Sequence, residues 1–241
     1  MFFDTIDDLK RSDIIYNDFW NEYMAIGEVL MADTAFLISI IRRAVELNKA
    51  FITLTDCGNY IAAAPLLRLQ LDNMLYCYAG TIKANNNDFL VGFMDGSNWK
   101  NIEDKDGNKL SDDYLLDLIC RKFDTDEFKR IYKESSNFIH LSSSHLYLST
   151  FMADKKIHFR LANYGNEEYI DGIKHIMLLI NYGLLHILIT DWVKLRKEDM
   201  DWLEWLKEQN PTKTIDELIH ENSLDDKGFR NLFFSQIRNR K

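Results

Sequence analysis

Two clusters of side chains in this chain have types and spacings that could do chemistry. The first is the run at residues 62–73, AAAPLLRLQLDN, where Arg68 stands in a nearly continuous apolar stretch. Helical spacing puts Arg68 on one stripe with Ile61, Ala64, Pro65, Leu71, Asp72 and Leu75, so its guanidinium is expected to leave water at least in part. Such a group needs an anionic partner, and Asp72, one turn later, is the local candidate. Two chemistries are open to it: a structural ion pair joining two helices, or a planar fork that reaches an anionic ligand such as a phosphate.

The second cluster is YKESSNFIHLSSSH, residues 132–145. On a continuous helix Tyr132, Ser136 and His140 form one stripe of hydroxyl, hydroxyl and imidazole. A ring nitrogen of His140 held by Ser136 leaves the other to give or take a proton near neutral pH, or to anchor the following loop; a satisfied packing histidine is the plain alternative. His145 sits about 140° further round, so the two imidazoles diverge unless the helix stops at Leu141. A metal pair is not expected, since no HExxH or comparable carboxylate spacing lies nearby. Ser142, Ser143 and Ser144 read as a turn or helix start, with no GxSxG around them.

Three lesser groups read as structure. His175, Tyr182 and His186 fall near one helix face, either a polar seam or a core or interface stripe. Trp202 and Trp205, with Leu203 and Leu206, look like an amphipathic docking segment; a base-stacking platform would want cations, and the neighbours are Asp199, Asp201 and Glu204. The run at 104–108 imitates a calcium loop only in part, because the glutamate required later in such a loop is missing. There is no phosphate-cradling glycine loop and no implied cofactor.

The elements that would position these residues are helices. Apolar residues recur at three and four from residue 13 onward, which predicts a first helix over 13–48 that either continues through 49–55 or breaks there. A second helix is expected over 58–83, with Asp56 as N-cap and a kink or local start at Pro65. Residues 84–111 read as a loop or lid. Ser111 followed by Asp112 and Asp113 starts a third helix that runs to Phe123, and a fourth runs from Thr125 to His140. Period-two alternation over 156–162 predicts a short strand or extended arm. A long helix returns over 167–197, followed by a small acidic and aromatic piece over 201–208 that Pro211 ends. A short helix is expected over 214–222, and a basic tail over 227–241. The fold class is therefore all-α, a single helical domain over 1–241 with its core at about 13–197 and a C-terminal helical extension and basic tail at about 198–241.

Composition sets the limits. With 241 residues, 46% apolar, 28% charged, 2 Pro and 10 Gly, the chain falls in the globular range. A compact chain of 28.4 kDa hides roughly 70% of its unfolded surface, so no disulfide or metal staple is needed. Cys57, Cys77 and Cys120 fit neither a disulfide framework nor a thiolate metal spacing, and are expected as free thiols in a reducing cytoplasm. The acidic start MFFDTIDDLK differs from a basic secretory leader, and no membrane span is expected. A net charge of -9 disfavours broad attraction to nucleic acid, so RNA binding would need a local basic site.

Three motifs together carry a resemblance: AAAPLLRLQLDN, the DKDGNKLSDDYL that leads into the third helix, and IYKESSNFIHLSSSH. The chain resembles uncharacterised bacterial relatives of the HEPN superfamily over roughly residues 25–195. That resemblance implies a helical bundle, often homodimeric, and for many members metal-independent RNA cleavage in toxin, abortive-infection or phage-defence systems. The family signature is an arginine, then a polar residue, and a histidine after four to six intervening positions. His140 matches the histidine and Asn137 and Glu134 are suitable polar neighbours, whereas Lys133 and Ser135 stand at the ends of the arginine window. The implied catalytic set is His140 as general base or acid, with Arg68 or Lys133 on the phosphorane charge. Tyr132 and Ser136 would orient the imidazole, and Asn137, Asp72 and His145 would serve binding. RNA or a nucleotide, a second copy of the chain, and a protein partner or antitoxin are the expected partners. The rival expectation is a non-catalytic interaction or oligomerisation module in which Arg68, Asp72 and His140 form an internal polar network.

Overall fold

With only two prolines to remove backbone donors, the chain folds mostly as helix. The computed structural model describes residues 5–27, 32–84, 86–95, 102–139, 150–159, 167–214 and 217. Among these the helices are α1 (Thr5–Ala25), α2 (Ala32–Asp56), α3 (Tyr60–Ile82), α4 (Asn86–Asp95), α5 (Asp112–Phe123), α6 (Glu127–Ile139), α7 (Glu167–Ile187) and α8 (Val193–Gln209). A five-residue π-helical turn, Leu188–Trp192, joins α7 to α8.

The helix over 13–48 is in fact two, because α1 ends at Ala25 ahead of the turn at Ile26, and α2 then runs without interruption to Asp56. Asp56 closes α2 and does not cap α3. Gly58, at φ 76°, supplies the left-handed residue that turns the chain, and the Asn59 and Gly58 amides bond back to the Leu54 and Thr55 carbonyls. Asn59 then caps α3, its Oδ1 accepting from the Ala62 amide at 3.3 Å. Pro65 lies inside α3 without ending it.

The expected loop at 84–111 contains a helix, α4. Its Asn-rich start hides the pattern of Phe89, Leu90 and Phe93, and packing overrides propensity there. Ser111 caps α5 as its sequence suggests, its Oγ accepting from the Tyr114 amide. The alternating segment forms β2 (Lys156–Phe159), and its antiparallel partner β1 (Thr150–Ala153) was not expected. Asp154 and Lys155, both at positive φ, make the two-residue turn between them. The last long helix does not stop near 197. Helical backbone continues to Gln209, two residues before Pro211, and so takes in the acidic and aromatic piece. Beyond it, Thr214 and Glu217 exchange capping bonds; the rest of the helix expected at 214–222 and the basic tail lie outside the described residues.

The chain divides into two compact units, each built from three segments. One comprises Met1–Asn17, Ile41–Leu75 and Leu116–Leu185, with Leu9, Phe51, Leu67, Leu71, Ile131 and Ile180 in its core. The other comprises Asp18–Ile40, Tyr76–Leu115 and His186–Lys241. Its core centres on Phe36, which meets Phe89 and Phe93 edge-on and packs against Trp192. The continuous helical stretch Tyr169–Gln209 is long and apolar enough to cross a membrane by length and composition alone, but half of its most apolar window is buried inside the protein.

Candidate functional site

In the first unit, α3 and α6 bring together four of the residues singled out by sequence: Arg68, Asp72, Tyr132 and Ser136. Phe128, Ile131 and Ser135 turn α6 inward, which leaves Tyr132 and Ser136 half-buried beside that stripe. Arg68 Nε donates to Asp72 Oδ1 at 2.8 Å, and Nη1 donates to Ser136 Oγ at 2.7 Å. The guanidinium carbon lies 3.4 Å from the centroid of the Tyr132 ring, a stacked cation–π contact. The Arg68 and Asp72 side chains are 14% and 22% exposed, so the pair is shielded from water without being sealed from it.

Ser136 bonds twice within the same cluster. Its hydroxyl proton goes to the Tyr132 carbonyl at 2.8 Å while the oxygen accepts from Arg68. The ring of Tyr132 and the hydroxyl of Ser136 thus both engage the guanidinium. His140 and His145 lie outside the described residues. Lys133 and Asn137 are exposed on α6.

His175, Tyr182 and His186 are exposed on the last long helical stretch, and His175 Nδ1 donates to the Asp171 carbonyl. Trp202 and Trp205 are exposed, whereas Leu203 and Leu206 turn inward. The carboxylate of Asp104 accepts from the Asp106 and Asn108 amides and from Tyr114 Oη. Burial pushes its pKa up, but these hydrogen bonds outweigh that effect and hold it below the ordinary value.

Two polar clusters went unnoticed in the sequence. In the first unit, fully buried Asn181 accepts from Tyr16 Oη at 3.0 Å and from Gln70 Nε2 at 2.6 Å, and donates to Asn48 Oδ1 at 3.0 Å. Asn48 in turn donates to the Leu9 carbonyl and to Asp13. In the second unit, Lys83 lies 3.3 Å from Asp33 and also bonds the Gly80 carbonyl. Arg196, 1% exposed, donates to the Gly27 carbonyl and faces the Tyr23 ring. Beside them Asp199 is pushed up to about 6, chiefly by burial, with Asp33 adding repulsion and Lys83 and Arg196 opposing. Burial also raises the Cys77 thiol, which removes it as a nucleophile. The one available signal was polar residues standing at apolar-stripe positions, as Asn48, Gln70 and Asn181 do.

Comparison of the chain with protein-family models, with curated proteins and with solved structures finds no match in any of the three.

Proposed function

We propose that the chain is a HEPN-like helical protein that works as a non-catalytic interaction module, with the Arg68 cluster as its internal clamp. The observation that supports this reading is the use already made of the guanidinium: Asp72, Ser136 and the face of Tyr132 engage it from three sides. A phosphate arriving there would have to displace a carboxylate held at 2.8 Å and be drawn to a guanidinium whose charge that carboxylate already offsets. The partners that fit such a module are a second copy of the chain or another protein, in the cytoplasm. Incubation of the full chain with total RNA in the presence of a chelator tests the reading. The expected result is intact RNA for wild type and for His140→Ala alike.

A second reading, a metal-independent endoribonuclease of a toxin or phage-defence system, is favoured by a different observation. Lys133 and Asn137 are both exposed on α6, one turn apart, within the motif that carries the family resemblance. In this reading Lys133 meets the phosphate and His140 moves the proton. RNA cleavage by wild type that disappears in His140→Ala, with helicity and melting unchanged, would establish it and end the first.

A further inference from the structure

The outward face of α8 carries two indoles in an acidic setting. Trp202 is 42% and Trp205 55% exposed, three residues apart on one side of the helix. Glu198, Asp201, Glu204 and Glu208 are exposed around them. Of the cations on this helix, Lys194 is drawn to Glu198 at 3.7 Å, Lys207 bonds the Pro211 and Lys213 carbonyls, and Lys197 is exposed five residues before Trp202, so carboxylates outnumber cations around the indoles. Large exposed aromatic groups of this kind mark interaction surfaces, and an indole face within a carboxylate field selects guanidinium and ammonium groups.

The chain contains a segment of the complementary chemistry. Residues 227–241 hold Lys227, Arg230, Arg238, Arg240 and Lys241 with no acid, interleaved with Phe229, Leu232, Phe233, Phe234 and Ile237. That segment lies outside the described residues. Residues 210–226 connect it to the end of α8, and a stretch of that length reaches on the order of 50 Å when extended, several times the distance along the helix from Gln209 back to Trp202. A tether this short also holds the segment at an effective concentration of millimolar order, far above that of any free basic peptide.

We propose that residues 227–241 dock on the face of α8 formed by Trp202 and Trp205 of their own chain, with arginine side chains over the indoles and the surrounding carboxylates neutralising the basic charge. This inference concerns a surface separate from the Arg68 clamp and stands whether or not that clamp is non-catalytic.

Zero-length carbodiimide coupling tests it on the full chain, using an equal mixture of unlabelled and heavy-nitrogen-labelled protein followed by peptide mass spectrometry. Amide links from Lys227 or Lys241 to Asp201, Glu204 or Glu208 are expected within single chains. They should fall about tenfold in Trp202→Ala/Trp205→Ala, whose exposed rings leave the core intact, and likewise in Arg238→Glu/Arg240→Glu. Far-UV circular dichroism confirms that the variants are folded. Absence of these links, links found only between differently labelled chains, or links unchanged in the tryptophan variant would each overturn the proposal.

Discussion

Arg68 holds a carboxylate, a hydroxyl and an aromatic face at once, so its removal damages more than an ion pair. Arg68→Ala leaves Asp72 half-buried without its guanidinium and strips the cover from Tyr132. We expect a loss of about 2–4 kcal/mol in chemical denaturation, the lower end reflecting the partial exposure of both groups. Arg68→Lys keeps the charge but neither the fork nor the flat stack, and should recover less than half of that loss. Asn181→Ala is expected to be at least as damaging, at about 3 kcal/mol or more, because it leaves buried donors on Tyr16 and Gln70 without the oxygen they share. Arg68 with Asp72 was legible because four residues along one helix suffice to predict their meeting. Asn181 was not, since Asn48, Gln70 and Asn181 come from three helices and no local spacing links them. A denaturation midpoint for Asn181→Ala within error of wild type would show that water replaces the lost amide.

At the scale of elements, local chemistry marks most helix starts and only some stops. Ser111 before α5 was readable as a cap, and Gly58 would have been readable as a left-handed stop had Asp56 not imitated a start. The helix α4 was hidden because it opens on Asn86, Asn87 and Asp88 and carries Gly92, while its stability comes from Phe89 and Phe93 against a ring on α2. Strand β1 was missed because its partner β2 alone shows clear alternation. Close approach is likewise invisible from sequence. At Gly80 an added Cβ would stand 2.7 Å from Trp192 Cζ2 and 3.0 Å from Phe36 Cε1. Alanine normally improves a helix interior by up to about 1 kcal/mol over glycine, but two buried rings that cannot both retreat reverse the sign. Gly80→Ala should therefore lower stability by about 1–2 kcal/mol and alter the near-ultraviolet signal of Trp192; a gain in melting temperature would mean that the rings repack freely.

For the molecule as a whole, acid-base balance shapes stability. Asp199 is raised to about 6, mainly by burial, and Asp13 is raised by burial against the opposing hydrogen bond from Asn48. A carboxyl that holds its proton more tightly when folded contributes stability fully present below its unfolded value near 4, and that contribution is lost as the pH climbs through the folded value. Asp104 works in the opposite sense: its contribution is present above the ordinary carboxylate range and is lost as the pH falls through its lowered value. Between about pH 5 and neutrality the raised carboxyls Asp199 and Asp13 lose their contribution, while the lowered Asp104 is already ionised, and the net charge of -9 at pH 7 adds self-repulsion. Melting temperature should therefore decline from about pH 5 to pH 7.5. Asp199→Asn supplies the neutral form at every pH, so it should leave stability unchanged near pH 4, raise it by about 1–3 kcal/mol at pH 7.5, and flatten the profile between. A variant whose profile runs parallel to wild type would mean that Asp199 titrates in the folded chain as it does in the unfolded one, with Lys83 and Arg196 offsetting its burial.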